Sequence, residues 1–164
     1  MTISTTARRR TVHHHPRPPH PPPGRPLRAV LDLGAVPSAP ACARAWTRQI
    51  LWEWRQAGLS DTSEVIVSEL TTNAMLASRR EGTAFFRLIL TLDHGELAIL
   101  VRDFSHGIPQ PGNAGADDES GRGLFLVQAM SSRSGCYLAD DGTPGKVVWA
   151  VIPGTGHSRD RPEP

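Results

Sequence analysis

The sequence has 164 residues, 38% of them hydrophobic and 5% aromatic, which suits one modest core with tail to spare. Apolar runs such as Leu97 to Val101 are too short to cross a bilayer, and Arg8-Arg9-Arg10 has no apolar stretch behind it, so neither a membrane span nor a secretory signal is expected, and a cytoplasmic protein is. The net charge of +2 hides a division: residues 1–28 hold six arginines and no acid, and the rest carries 12 basic and 16 acidic groups, a balance that disfavours a broad nucleic-acid footprint.

Residues 1–26 read as a disordered Pro/His/Arg-rich tail. Prolines throughout His13-His14-His15-Pro16-Arg17-Pro18-Pro19-His20-Pro21-Pro22-Pro23 remove backbone donors and fix φ, so no helix forms. Those histidines could bind a metal, but a structureless leader is the plainer reading. A second tail is expected over 153–164, which leaves 27–152 as the folded domain.

Within it the expected order is β-α-α-β-β-α-β-β. Leu27 to Leu33 alternates weakly, as an edge strand does. A helix is predicted from a Ser38 cap to about Ala57, ending at Gly58, with Trp46, Ile50 and Trp54 on one face. That stripe could stack a base, though core packing is the commoner use. Ser60 caps a second helix to about Ser78, with Glu64 as a loose capping-box partner and Val67, Leu70, Ala74 and Ala77 facing the sheet. Thr83–Leu92 alternates strictly, Asp93-His94-Gly95-Glu96 reads as a hairpin turn, and Leu97–Asp103 returns. A long loop over Phe104–Ser120 precedes a third helix opening at Gly121–Gly123, and strands near Cys136–Ala139 and Lys146–Ile152 close the domain. So long a loop in so small a domain usually has a task.

Three features carry chemistry. Glu69 and Asn73 are one helical turn apart and share a face. An amide oxygen suits Mg²⁺, and a carboxylate beside it can deprotonate a hydroxyl; a solvated polar pair is the alternative. Asp103, at a strand end before Phe104-Ser105-His106-Gly107, can accept from an amino group of a base, with Gly107 allowing close approach. The alternative there is an ordinary loop entry. Glycines in Glu119-Ser120-Gly121-Arg122-Gly123-Leu124 can let backbone N–H groups wrap a phosphate at a helix start, with Arg122 adding a charge-assisted bond. A flexible turn would look the same.

Other nucleotide motifs fail. The dinucleotide pattern needs glycine at 126, where Leu126 stands. The P-loop needs glycine at 140 and Ser or Thr at 147, where Asp140 and Val147 stand. Cys42 and Cys136 have neither CxxC spacing nor ligand neighbours and read as two reduced thiols.

Taken together and in this order, the three features over about residues 27–152 resemble the GHKL ATPase superfamily. The wording Val67-Ser68-Glu69-Leu70-Thr71-Thr72-Asn73-Ala74, Val101-Arg102-Asp103, Glu119-Ser120-Gly121-Arg122-Gly123-Leu124 and Gly145-Lys146-Val147-Val148-Trp149-Ala150 is similar to that of the anti-sigma factor serine/threonine kinases. The resemblance implies the Bergerat (histidine kinase-like ATPase) fold: an α/β (α+β) two-layer sandwich whose mixed, mainly antiparallel sheet carries helices on one face.

It also implies ATP and Mg²⁺ as cofactors. Glu69 would be the catalytic base and Asn73 the metal ligand. Asp103 would read adenine, and Gly107, Gly121, Arg122 and Gly123 would shape the pocket and its lid. The implied activity is protein serine/threonine kinase, with an anti-sigma-factor antagonist (STAS-type) protein and a sigma factor as partners, room for a homodimer, and no direct nucleic acid or membrane. The sequence departs from the usual wording at Ser105, where glycine is usual, at Lys146-Val147-Val148, which lacks a threonine, and at Glu119, where a basic residue is common. Two alternatives stand beside the kinase: a non-catalytic ATP-binding or degenerate anti-sigma-type module, and a detached histidine-kinase catalytic domain.

Overall fold

A computed structural model describes residues 26–104, 119–139 and 142–154. The expected tails fall outside the described residues except at their inner ends, as do residues 105–118 of the long loop. The element order is β1 (Leu27–Gly34), α1 (Ala39–Glu53), a short 3-10 turn (Ala57–Leu59), α2 (Ser60–Arg80), β2 (Phe85–Asp93), β3 (Glu96–Asp103), α3 (Glu119–Met130), β4 (Arg133–Leu138) and β5 (Lys146–Pro153). The strands form one five-stranded sheet in the order β1-β2-β3-β5-β4. Each neighbouring pair is antiparallel, so the expected mainly antiparallel sheet is antiparallel at every pairing described.

Alternation along the strands sets the two faces. Leu88 lies opposite Val101, Leu90 opposite Ile99, and Leu97 opposite Ile152. These residues form the core with Leu51, Ile66, Val67, Leu70 and Ala74 of the helices. The helices therefore cover one face, and each large apolar side chain sealed there contributes about 1.5–3 kcal/mol. The intervening positions Arg87, Ile89 and Leu100 line the other face, where Asp32 and Arg87 form a two-armed ion pair across β1 and β2. The hairpin turn is where it was expected. His94 (φ 45°) and Gly95 (φ 78°) are its two central residues, as a type I′ turn requires.

Several expected boundaries shift for local reasons. Helix α1 stops at Glu53 instead of reaching Ala57, because Arg55 takes a left-handed φ of 57°. There the Gln56 N–H donates to the Leu51 carbonyl, closing the end in the Schellman manner without a glycine. Trp46, Ile50 and Trp54 pack against the core, the structural use of that stripe. Ser38 is the α1 cap residue but makes no side-chain cap bond. Leu59 replaces Ser60 as the α2 cap, and Glu64 is no capping-box partner: it takes both arms of Arg48 from α1. Helix α3 begins at Glu119, so Gly121 and Gly123 lie within it rather than opening it.

Candidate nucleotide site

Helix α2 carries the first part of the site. Its core arc is fixed by Ile66, Val67, Leu70 and Ala74, and the i, i+4 spacing sets Glu69 and Asn73 together on the adjoining arc. That arc meets α3. A Cβ built on Gly123 would fall 2.2 Å from Oε2 of Glu69, so only a glycine allows the carboxylate its present place. Two motifs 54 positions apart in sequence thus adjoin in space. The Asn73 Nδ2 is buried and has no hydrogen-bond partner among the described residues. A buried amide N–H without a partner pays its full desolvation cost, which a ligand oxygen accepting from it would offset.

The second part lies at the end of the sheet. Asp103 continues the helix-side row Leu97, Ile99, Val101, and Lys146 stands directly opposite it on β5. Nζ of Lys146 donates to Oδ1 of Asp103 at 3.0 Å, with the two side chains 7% and 2% exposed. Gly145 makes this junction. Its φ is +146°, and a Cβ there would sit 2.4 Å from the Asp103 carbonyl oxygen, so a side chain is barred on both counts. Next in the same region is Cys136, whose thiol burial pushes up to about 11 against the pull of the Lys146 ammonium. Phe104 turns the other way: its ring packs on Phe85 at 4.9 Å between centroids, and the Arg102 guanidinium lies over it at 5.1 Å. This anchors the chain just where it leaves β3.

The structure therefore brings Glu69 and Gly123 together, with Asn73 one helical turn from Glu69, and sets Asp103 at the helix-side end of β3. Gly121 and Arg122 fall in the first turn of α3, where backbone N–H groups lack intrahelical partners, but the side chains of 119–122 are outside the described residues. Gly107 and the expected lid lie outside them too. Sequence reasoning missed Lys146 as a partner of Asp103, noting only the absent threonine. The signal was present in Gly145-Lys146, since the antiparallel return of the last strand sets its first residue against the end of β3.

These residues fit a magnesium nucleotide. The Asn73 Nδ2, unpartnered among the described residues, can donate to a phosphate oxygen, and Glu69 one turn away adjoins the N-terminal half of α3, a helix start being the usual setting for phosphate. Among the described residues no three His, Cys, Asp or Glu side chains gather to hold a metal, so Mg²⁺ would rely on phosphates, water and the Asn73 oxygen.

An antiparallel sheet covered on one face by helices, with Glu69 and Asn73 one turn apart and Asp103 at a strand end, is the arrangement that the resemblance to GHKL ATPase domains implies. A model of the histidine kinase-like ATPase domain matches residues 30–152, and the chain belongs to that family. Among solved structures, a chain of the SiaB-SiaC complex from Pseudomonas aeruginosa is similar at 12% identity with a TM-score of 0.56, covering 76% of this chain and 88% of that one. At that identity the likeness is one of fold. No curated protein matches the chain. The family supports ATP binding in general terms. No helix among the described residues is long and apolar enough to cross a membrane.

Proposed function

We propose that residues 27–152 form an ATP-dependent protein serine/threonine kinase domain acting on a small regulatory partner, with 1–26 and 153–164 as tails outside it. The observation that carries this reading is the meeting of Glu69 on α2 with Gly123 on α3, with Asn73 one turn along the same helix face. In the proposed reaction a serine hydroxyl oxygen of the partner attacks the γ-phosphorus of ATP in line. The bond from that phosphorus to the β–γ bridging oxygen breaks, ADP leaves, and Glu69 takes the hydroxyl proton. The Asn73 amide oxygen would hold Mg²⁺, which supplies charge neutralisation when bound. Gly121 and Gly123 keep the backbone near the phosphates clear of side chains, Arg122 adds charge, and Asp103 reads the base, with Gly107 beside it. Most of the acceleration comes from positioning and electrostatics rather than covalent chemistry.

The proposed substrate is a serine on an anti-sigma-factor antagonist of the STAS type. Phosphorylation would be coupled to holding or releasing a sigma factor, in the cytoplasm. A protein partner is supported by the structural neighbour, which comes from a two-protein complex, SiaB-SiaC. A regulatory module that binds ATP without transferring phosphate is the second reading. It is favoured by Glu119, which stands where related kinases commonly carry a basic residue. Radiolabelled γ-phosphate transfer to candidate antagonist proteins separates the two: labelled serine supports the kinase, and ATP binding with no transfer to any antagonist supports the module.

A further inference from the structure

On the side of the sheet away from the helices, β5 is buried where no described element covers it. Val147, Trp149 and Val151 share that side with Arg87, Ile89 and Leu100, since Val147 pairs with Arg102, Trp149 with Leu100 and Val151 with Ala98. All three helices pack on the opposite side. Yet Val147, Trp149 and Val151 are 6%, 5% and 3% exposed, while Val30, in the same row as Trp149 on the edge strand β1, is 40% exposed. The residue opposite Trp149 on β4 is Gly135, which has no side chain to shield the ring. The Trp149 indole N–H is itself buried and has no hydrogen-bond partner among the described residues. A buried indole usually has an acceptor, so whatever covers β5 must bring apolar surface and an acceptor oxygen to the same place.

A segment laid on this face outside the strand ladder sets its own N–H groups against apolar side chains, and each one left unpaired is costly. Proline has no N–H. Residues 16–26 hold seven prolines, at 16, 18, 19, 21, 22, 23 and 26, and lead directly into β1 at Leu27. Such a stretch favours the polyproline II helix, whose carbonyl oxygens make no internal bonds and whose usual dock is a groove lined by aromatic side chains. Trp149, the gap at Gly135 and Tyr137 two residues further along β4 supply that lining.

The lengths agree. Strand β5 is three strands from β1, about 14 Å across the sheet, and Trp149 lies three rows along from Leu27, about 10 Å. The diagonal of about 17 Å takes about six residues at roughly 3.1 Å each. With Gly24 as the bend, those are Pro18–Pro23. Residues 155–164 suit the place less, because Arg159, Asp160, Arg161 and Glu163 would be set against an apolar face. Residues 105–118 lead back to α3, on the other side of the sheet.

We propose that Pro18–Pro23 docks as a polyproline II strap across the helix-free face of the sheet, over β5, with a strap carbonyl oxygen accepting from the Trp149 indole N–H. The face is then a polyproline-binding surface occupied by the chain's own tail, whether or not the other face binds nucleotide.

Tryptophan-selective ¹⁵N labelling of the full chain tests this. It gives four indole signals, and that of Trp149 is the one missing from Trp149→Phe. Its N–H should exchange with water about ten-fold or more slower than that of the exposed Trp52. With Pro18, Pro19, Pro21, Pro22 and Pro23 all changed to serine, the Trp149 signal should shift and its exchange should speed up by about ten-fold or more, with the other three indoles unmoved. Unchanged Trp149 exchange in that variant overturns the proposal. So does a shift produced instead by ending the chain at Gly154, and so does protection that grows with protein concentration, which would make a second copy the cover.

Should the serine variant misfold, a nitroxide on His20→Cys in a Cys42→Ser chain reads the contact with every proline in place, because Cys136, with its raised pKa, reacts slowly. It should broaden the Trp149 indole signal far more than that of Trp52, and equal or absent broadening overturns the strap.

Discussion

Gly123 of α3 and Glu69 of α2 are packed so closely that a methyl group on the glycine would lie 2.2 Å from the carboxylate oxygen and 3.2 Å from its carbon. The obstructed atoms are the far end of a flexible side chain, so Gly123→Ala can be accommodated by swinging Glu69 aside. Alanine also favours a helix over glycine by about 1 kcal/mol. Thermal stability should therefore stay level or rise slightly, while phosphotransfer falls by about ten-fold or more. A loss of stability with full activity in a melting and transfer assay would count against Glu69 as the base.

Glu69→Gln keeps the size of the side chain and removes the proton acceptor. ATP affinity should remain near that of the wild type, while the transfer rate drops on the order of 10²–10⁴-fold. Rapid-quench kinetics beside a binding titration separates the two quantities. Equal loss in both would make Glu69 a binding residue.

The two thiols should behave differently. Cys42 is exposed, whereas burial raises the Cys136 thiol from 9.0 to about 11. A thiol reagent at pH 8 should modify Cys42 quickly and Cys136 much more slowly. The sign for stability follows from linkage. The raised group favours the fold fully below pH 9.0 and loses that contribution as pH rises through about 11. Cys136→Ala should accordingly flatten the alkaline end of the stability–pH curve and leave its slope near pH 7 unchanged.

Much of the fold was legible because period-2 and period-3.6 patterns are strong in this chain. Phe86, Leu88 and Leu90 alternate strictly, and all are fully buried on the helix side. What the pattern could not show were the ends. Arg55 terminates α1 in a conformation usually reserved for glycine, and no local signal marks an arginine for that. Glu64 was open to two uses, and only the packing of α1 on α2 selects Arg48 as its partner. At the site, Glu69 and Asn73 share a helix face by spacing alone, but their approach to Gly123 depends on tertiary contact. The Asp103–Lys146 pair needs strand register, which motif spacing does not carry.

The central claim is that the α2 face binds a magnesium nucleotide through Asn73, and one calorimetric titration tests it most directly. The Asn73 Nδ2 has no hydrogen-bond partner among the described residues, so Asn73→Ala removes no bond to them through that atom and should leave the melting temperature unchanged or slightly higher. Mg-ATP titrated into the wild type should give saturable binding that weakens when Mg²⁺ is chelated, and the same titration into Asn73→Ala should give none. Equal affinity in the two proteins, or a wild type that takes up no Mg-ATP, would contradict the account.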